Sequence, residues 1–126
     1  MRLLNACVIA LIFVFPAIAS AQVVRNPSAV SFTSPDHDNP ELTGYEIDFV
    51  KADGTVVQTI VVAKAQTQKM ADGEIWVNVN VQPVSFGAYT FTARAVAGAI
   101  KTPTSQPSDV WERQPGTPSK PKPRSP

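Results

Sequence analysis

The single histidine, His37, lies in Asp36-His37-Asp38 with Glu41 close behind. Imidazole nitrogen and carboxylate oxygen together make the donor set of a mixed metal site, and the same pairing could serve as a general base. Neither chemistry has the company it needs. A base requires a nucleophile or a second titratable partner. The chain offers no Gly-x-Ser-x-Gly turn, glycine-rich phosphate loop, His-Glu-x-x-His or calcium-loop spacing. Ser34 to Pro40 instead reads as a solvated polar loop bounded by Pro35 and Pro40. Cys7 is the only cysteine, which excludes an intramolecular disulfide and a cysteine-based zinc site. The expectation is a protein without catalytic residues, bound metal or cofactor, and so not an enzyme.

Binding chemistry is better represented. In Ile75-Trp76-Val77-Asn78-Val79-Asn80-Val81 the apolar residues alternate with Trp76, Asn78 and Asn80. On a strand these three side chains share one outward face. An indole flanked by amides can stack on a sugar ring or anchor a protein partner. The plainer reading, and the favoured one at this point, has the Lys64–Gly73 linker fold over Trp76 as a satellite cluster. Glu46 and Asp48 are placed to face Arg94 as an ordinary surface ion pair. The Pro115-x-x-Pro118 and Pro118-x-x-Pro121 spacings match proline-helix ligands, but a spacer or a weak electrostatic contact is the simpler role.

The elements that must carry these residues read as strands. After Ala21 the chain has 14 Val and four Ile but one Leu, Leu42. Branched side chains suit a pleated surface, whereas leucine favours helices. Tyr45, Ile47 and Phe49 alternate with Glu46 and Asp48, and Tyr89, Phe91, Ala93 and Ala95 alternate with Thr90, Thr92 and Arg94. Such period-2 patterns predict antiparallel strands with one face buried. Strands are expected at 28–34, 42–52, 55–62, 74–81, 88–97 and 105–112, with a stub at 22–25. Asp53-Gly54 is the hairpin signal between the second and third of these. Six or seven short strands without a long helix predict an all-β, antiparallel β-sandwich.

The ends differ from this body. Met1-Arg2, the apolar run Leu3–Phe15 and Ala19-Ser20-Ala21 form an export signal, residues 1–21, with cleavage before Gln22. The run is too short to span a bilayer, so no stable membrane insertion is expected after cleavage. The domain, 22–113, holds seven basic and ten acidic residues. The tail, 114–126, adds Lys120, Lys122 and Arg124, five prolines and no large apolar residue. Its composition predicts a mobile extended segment. The overall charge of +1 argues against nucleic acid as a partner.

Leu42-Thr43-Gly44-Tyr45-Glu46-Ile47-Asp48-Phe49 and Tyr89-Thr90-Phe91-Thr92-Ala93-Arg94-Ala95-Val96, in that order, resemble two strands of the fibronectin type III domain. Ser105-Gln106-Pro107-Ser108 resembles the approach to that family's last strand. The resemblance covers 28 to about 112 and implies an immunoglobulin-like sandwich whose core includes Phe32, Tyr45, Ile47, Phe49, Tyr89 and Phe91. It implies further that Tyr89 places its ring in the core and its hydroxyl on upstream backbone. Few residues separate Ala21 from the second strand, so the first strand is a stub or missing and one sheet edge is incomplete. The function expected is an exported binding or adhesion module, periplasmic or extracellular, that contacts a protein or a cell-surface glycan. The alternative is a structural subunit that assembles weakly with itself through the incomplete edge.

Overall fold

A computed structural model describes residues 23–125. Residues 1–21, where an export signal is expected, Gln22 and Pro126 lie outside the described residues. The chain runs through β1 (Val24–Arg25), β2 (Ala29–Phe32), β3 (Gly44–Lys51), β4 (Val56–Ala63), a 3-10 turn (Lys64–Gln66), β5 (Gln68–Lys69), β6 (Ile75–Asn78), β7 (Gly87–Ala97), β8 (Ile100–Lys101) and β9 (Trp111–Arg113). Among the described residues no helix is long and apolar enough to cross a membrane. The molecule is nearly all β, arranged like a sandwich.

The larger sheet has the order β1-β9-β7-β3-β4, with β8 added to the end of β7; the smaller has the order β2-β6-β5. Their facing sides bury Tyr45, Ile47, Phe49, Tyr89, Phe91 and Trp111 from the first against Ile75 and Val77 from the second, with Phe32 half-buried beside them. The aromatic rings form one packed group. Trp111 stacks on Tyr89 and Phe91, with centroids 4.9 and 4.8 Å apart, and meets Phe49 edge-on at 5.9 Å. Phe32 meets Tyr45 edge-on at 5.0 Å. Such contacts add to the transfer free energy of burying the rings.

Local chemistry fixes the register of β3 against β4. Asp53-Gly54 forms the turn, with Gly54 at φ +91° and Lys51 N–H and Thr55 O 2.8 Å apart. At the other end of β3, Gly44 meets the β4 backbone so closely that a Cβ would sit 2.2 Å from Val62 O.

Three expectations need correction. The sheets are not wholly antiparallel, because β1 pairs with β9 in parallel. Asn26, at φ +43°, donates its N–H to Glu112 O and turns the chain from the larger sheet towards the smaller. Asn tolerates that left-handed backbone better than most residues. The first strand is thus a stub, as the short approach from Ala21 requires, but it completes the larger sheet and leaves β2 at an edge. Second, Lys64–Gly73 is not a cover for Trp76. Its middle becomes β5, pairing Gln68 with Trp76 and Lys69 with Ile75.

Third, the strand expected over 105–112 is confined to Trp111–Arg113. Residues 102–108 do lie along β7, but hydroxyl groups take the place of carbonyls as the acceptors of the β7 N–H groups. Phe91 N–H donates to Ser108 Oγ (2.8 Å) while Ser108 N–H donates to Phe91 O (2.9 Å). Ala93 and Ser105 repeat the exchange at 3.0 and 2.8 Å, and Ala95 and Thr102 repeat it at 3.0 and 3.0 Å. Three residues of this segment therefore advance beside two of β7, which is too compact for a strand. Pro103 and Pro107 lack the N–H groups that a regular ladder would need. The hydroxyls of Ser105 and Ser108 also donate to the carbonyls of Gln106 and Asp109, so each is satisfied twice.

Candidate binding surface

The central strand of the smaller sheet, β6, alternates between buried Ile75 and Val77 and outward Trp76 and Asn78. Trp76 is 42% exposed although it occupies the middle of the sheet. Register places Ser31 of β2 on one side of it and Gln68 of β5 on the other, both exposed. The outward face therefore carries a row of hydroxyl, indole and amide, with the Asn78 amide two residues further along β6. An aromatic plate with polar groups at its rim can bury a sugar face or an apolar side chain while satisfying neighbouring hydroxyl or amide groups.

Asn80 does not belong to this row. It lies beyond the end of β6, and its Oδ1 accepts the N–H of Gln82 at 3.0 Å, an Asx turn that commits half of the amide to backbone. Sequence reasoning missed Ser31 and Gln68 as neighbours of Trp76. Ser31 was legible only as an outward strand position, and Gln68 stood in a segment with no alternating pattern to announce β5.

The loop from Pro35 to Pro40 is exposed as expected, but His37 within it is buried. Its ring lies side by side with that of Tyr45, the planes 6° apart, and Nδ1 lies 2.7 Å from the Tyr45 hydroxyl. Burial pushes the Tyr45 phenol above its ordinary range, which favours the neutral hydroxyl in this pair. The flanking Asp38 turns away and pairs with Lys69 at 2.7 Å, which lowers its carboxyl pKa through a hydrogen bond and charge attraction. His37 thus closes the end of the core, and its companions in sequence are not its companions in space. Among the described residues no three of His, Cys, Asp and Glu gather as metal ligands.

The Glu46, Asp48 and Arg94 cluster is also deeper than a surface ion pair. Asp48 is only 3% exposed. It accepts from Arg94 Nη2 at 2.9 Å and from Thr59 Oγ1 at 2.6 Å, while Glu46 accepts from Lys101 at 2.8 Å. Arg94 Nε lies 3.3 Å from Glu46 Oε1 but is poorly aligned for a hydrogen bond. These contacts tie β4, β3, β7 and β8 together on the outer face of the larger sheet. They brace the sheet and leave little of Asp48 for a ligand.

No family model matches the chain, and no curated protein or solved structure does so either.

Proposed function

We propose that the chain is an exported, non-catalytic binding module of the fibronectin type III kind. Its contact surface is the outward face around Trp76, and its partner is a protein or a cell-surface glycan. The observation that carries this reading is the exposure of Trp76 in mid-sheet between Ser31 and Gln68. A large aromatic side chain left 42% exposed at the centre of a sheet offers apolar area, with a polar rim, to an interface. The immunoglobulin-like part of the reading is supported by the Tyr89 hydroxyl, which donates to Ser85 O at 2.7 Å, four residues upstream, with its ring buried. Trp76→Ala tests the proposal. Binding to an array of oligosaccharides and extracellular proteins should be lost while the unfolding midpoint is retained; binding that survives the substitution places the contact elsewhere.

A second reading, a structural subunit assembling through an incomplete edge, is favoured by one observation. Because β1 pairs with β9, no strand among the described residues covers the outer side of β2. Ala29→Pro, which removes an N–H from the open side of β2, would then change the oligomeric state and leave glycan or protein binding intact.

A further inference from the structure

Among the described residues the free side of β4 is an unpartnered edge of unusual composition. Val56-Val57-Gln58-Thr59-Ile60-Val61-Val62-Ala63 contains no charge, proline or glycine, the residues that usually blunt an edge. Val61 is 75% exposed there. The direction of each backbone group follows from one hydrogen bond. Lys64 N–H donates to Thr43 O in the approach to β3. Antiparallel strands alternate their hydrogen-bonding direction, so Val62, Ile60 and Gln58 turn towards β3, and Ala63, Val61 and Thr59 turn away from it. The outward N–H of Ala63 is already taken by Gln66 Oε1 at 3.0 Å. Towards the other end the register shifts at Val57, which interrupts the ladder. What remains open is a short stretch in which Thr59 and Val61 each present one donor and one acceptor.

A second copy of the same stretch fits those groups in one register. With Thr59 opposite Val61 of another copy, all four open groups on each strand are paired. The Gln66 contact and the bulge at Val57 stay undisturbed. A slip of two residues either way would place Val61 opposite itself and require Ala63, or place Thr59 opposite itself and require Val57. Side chains agree with the first register: Ile60 meets its own equivalent, and Gln58 comes opposite Val62. Beside Val62 a hollow of about 370 Å³ is lined by Ile60, Gln66, Asn78 and Asn80 among others, so an incoming glutamine amide finds amide partners next to an apolar floor. No like charges are brought together.

We propose that β4 pairs antiparallel with β4 of a second copy of this chain, about a two-fold axis through Ile60, joining two larger sheets edge to edge. The contact is isologous and closes at two copies. It shares Asn78, at the rim of that hollow, with the Trp76 face, is separate from the β2 edge, and does not depend on either being a binding surface.

Light scattering behind a sizing column, over about a hundredfold range of concentration, tests it. A monomer–dimer equilibrium that stops at two supports the proposal; a monomer throughout, or growth beyond two that Val61→Lys leaves unchanged, overturns it. Val61→Lys, on an exposed side chain that the fold does not need, should weaken the dimer by about tenfold or more. A dimer unchanged by that substitution also overturns the proposal. Disulfide capture reads the register. In a Cys7→Ser background, Ile60→Cys should cross-link rapidly under mild oxidation, because an antiparallel non-hydrogen-bonded pair brings the two Cα atoms within disulfide reach. Val61→Cys, though more exposed, should cross-link slowly. The reverse order, which random collision would produce, contradicts the register.

Discussion

The outer side of β7 and the outer side of β4 flank the same core strand, β3, and they are finished in opposite ways. Along β7, β9 pairs with Gly87–Tyr89, β8 pairs with Val96 and Ala97, and between them Thr102, Ser105 and Ser108 satisfy Ala95, Ala93 and Phe91. A covering segment built from hydroxyls and prolines meets the ladder but offers no regular ladder to a further strand. Along β4, among the described residues, nothing comparable exists beyond the Gln66 contact. The difference shows that an edge can be closed without a strand, by side chains spaced three apart against backbone spaced two apart. It also shows where this molecule has left a way in.

The largest effect is expected from detaching β4 from β3. Gly44→Ala drives a methyl group into Val62 O, where backbone must move, and should cost about 3 kcal/mol in denaturant unfolding. Next comes the brace under β4. Arg94→Met leaves the Asp48 carboxylate buried with Thr59 as its remaining close partner and should cost about 2 kcal/mol. Adding Asp48→Leu should recover part of that loss, because no unpaired charge then remains.

The covered edge is probed by its hydroxyls. Ser108→Ala strips the Phe91 N–H of its acceptor in a part-buried position and should cost about 1–2 kcal/mol. Ser105→Ala, at a more exposed contact, should cost less, since water can replace the hydroxyl of Ser105 beside Ala93. Equal costs would mean that the segment is held by its packing and not by these bonds.

The smallest effect is a pH dependence at the far end of the molecule. Lys69 holds the Asp38 carboxyl below its ordinary value of 3.8. A depressed folded pKa contributes stability that is fully present above the unfolded pKa and is lost as pH falls through the folded one. Asp38→Asn should therefore change stability slightly at neutral pH, the difference should shrink with added salt, and it should vanish in strong acid.

Much of the architecture was legible because alternation is a direct consequence of burying one face. Tyr45-Ile47-Phe49 and Ile75-Val77 gave their strands and their inward faces from residue type alone. Trp76 and Asn78 were legible as outward for the same reason. What was not legible depends on non-local pairing. The parallel partnership of β1 rests on Glu112, far along the chain, meeting Asn26. The neighbours of Trp76 depend on a two-residue strand with no pattern of its own. Thr102-x-x-Ser105-x-x-Ser108 carried a signal, three hydroxyls at equal spacing with prolines between, but a period of three matches no regular strand and so reads as a loop. His37 looked solvated because its neighbours are polar; its contact with the Tyr45 hydroxyl is tertiary.

Amide hydrogen exchange followed residue by residue tests the contrast between the two edges most directly. In dilute solution the amides of Phe91, Ala93 and Ala95 should exchange only with opening of the core, while those of Thr59 and Val61 exchange rapidly, and raising the concentration should slow the second group alone. Fast exchange at Phe91, Ala93 and Ala95, or protection of Thr59 and Val61 that does not depend on concentration, would contradict the account.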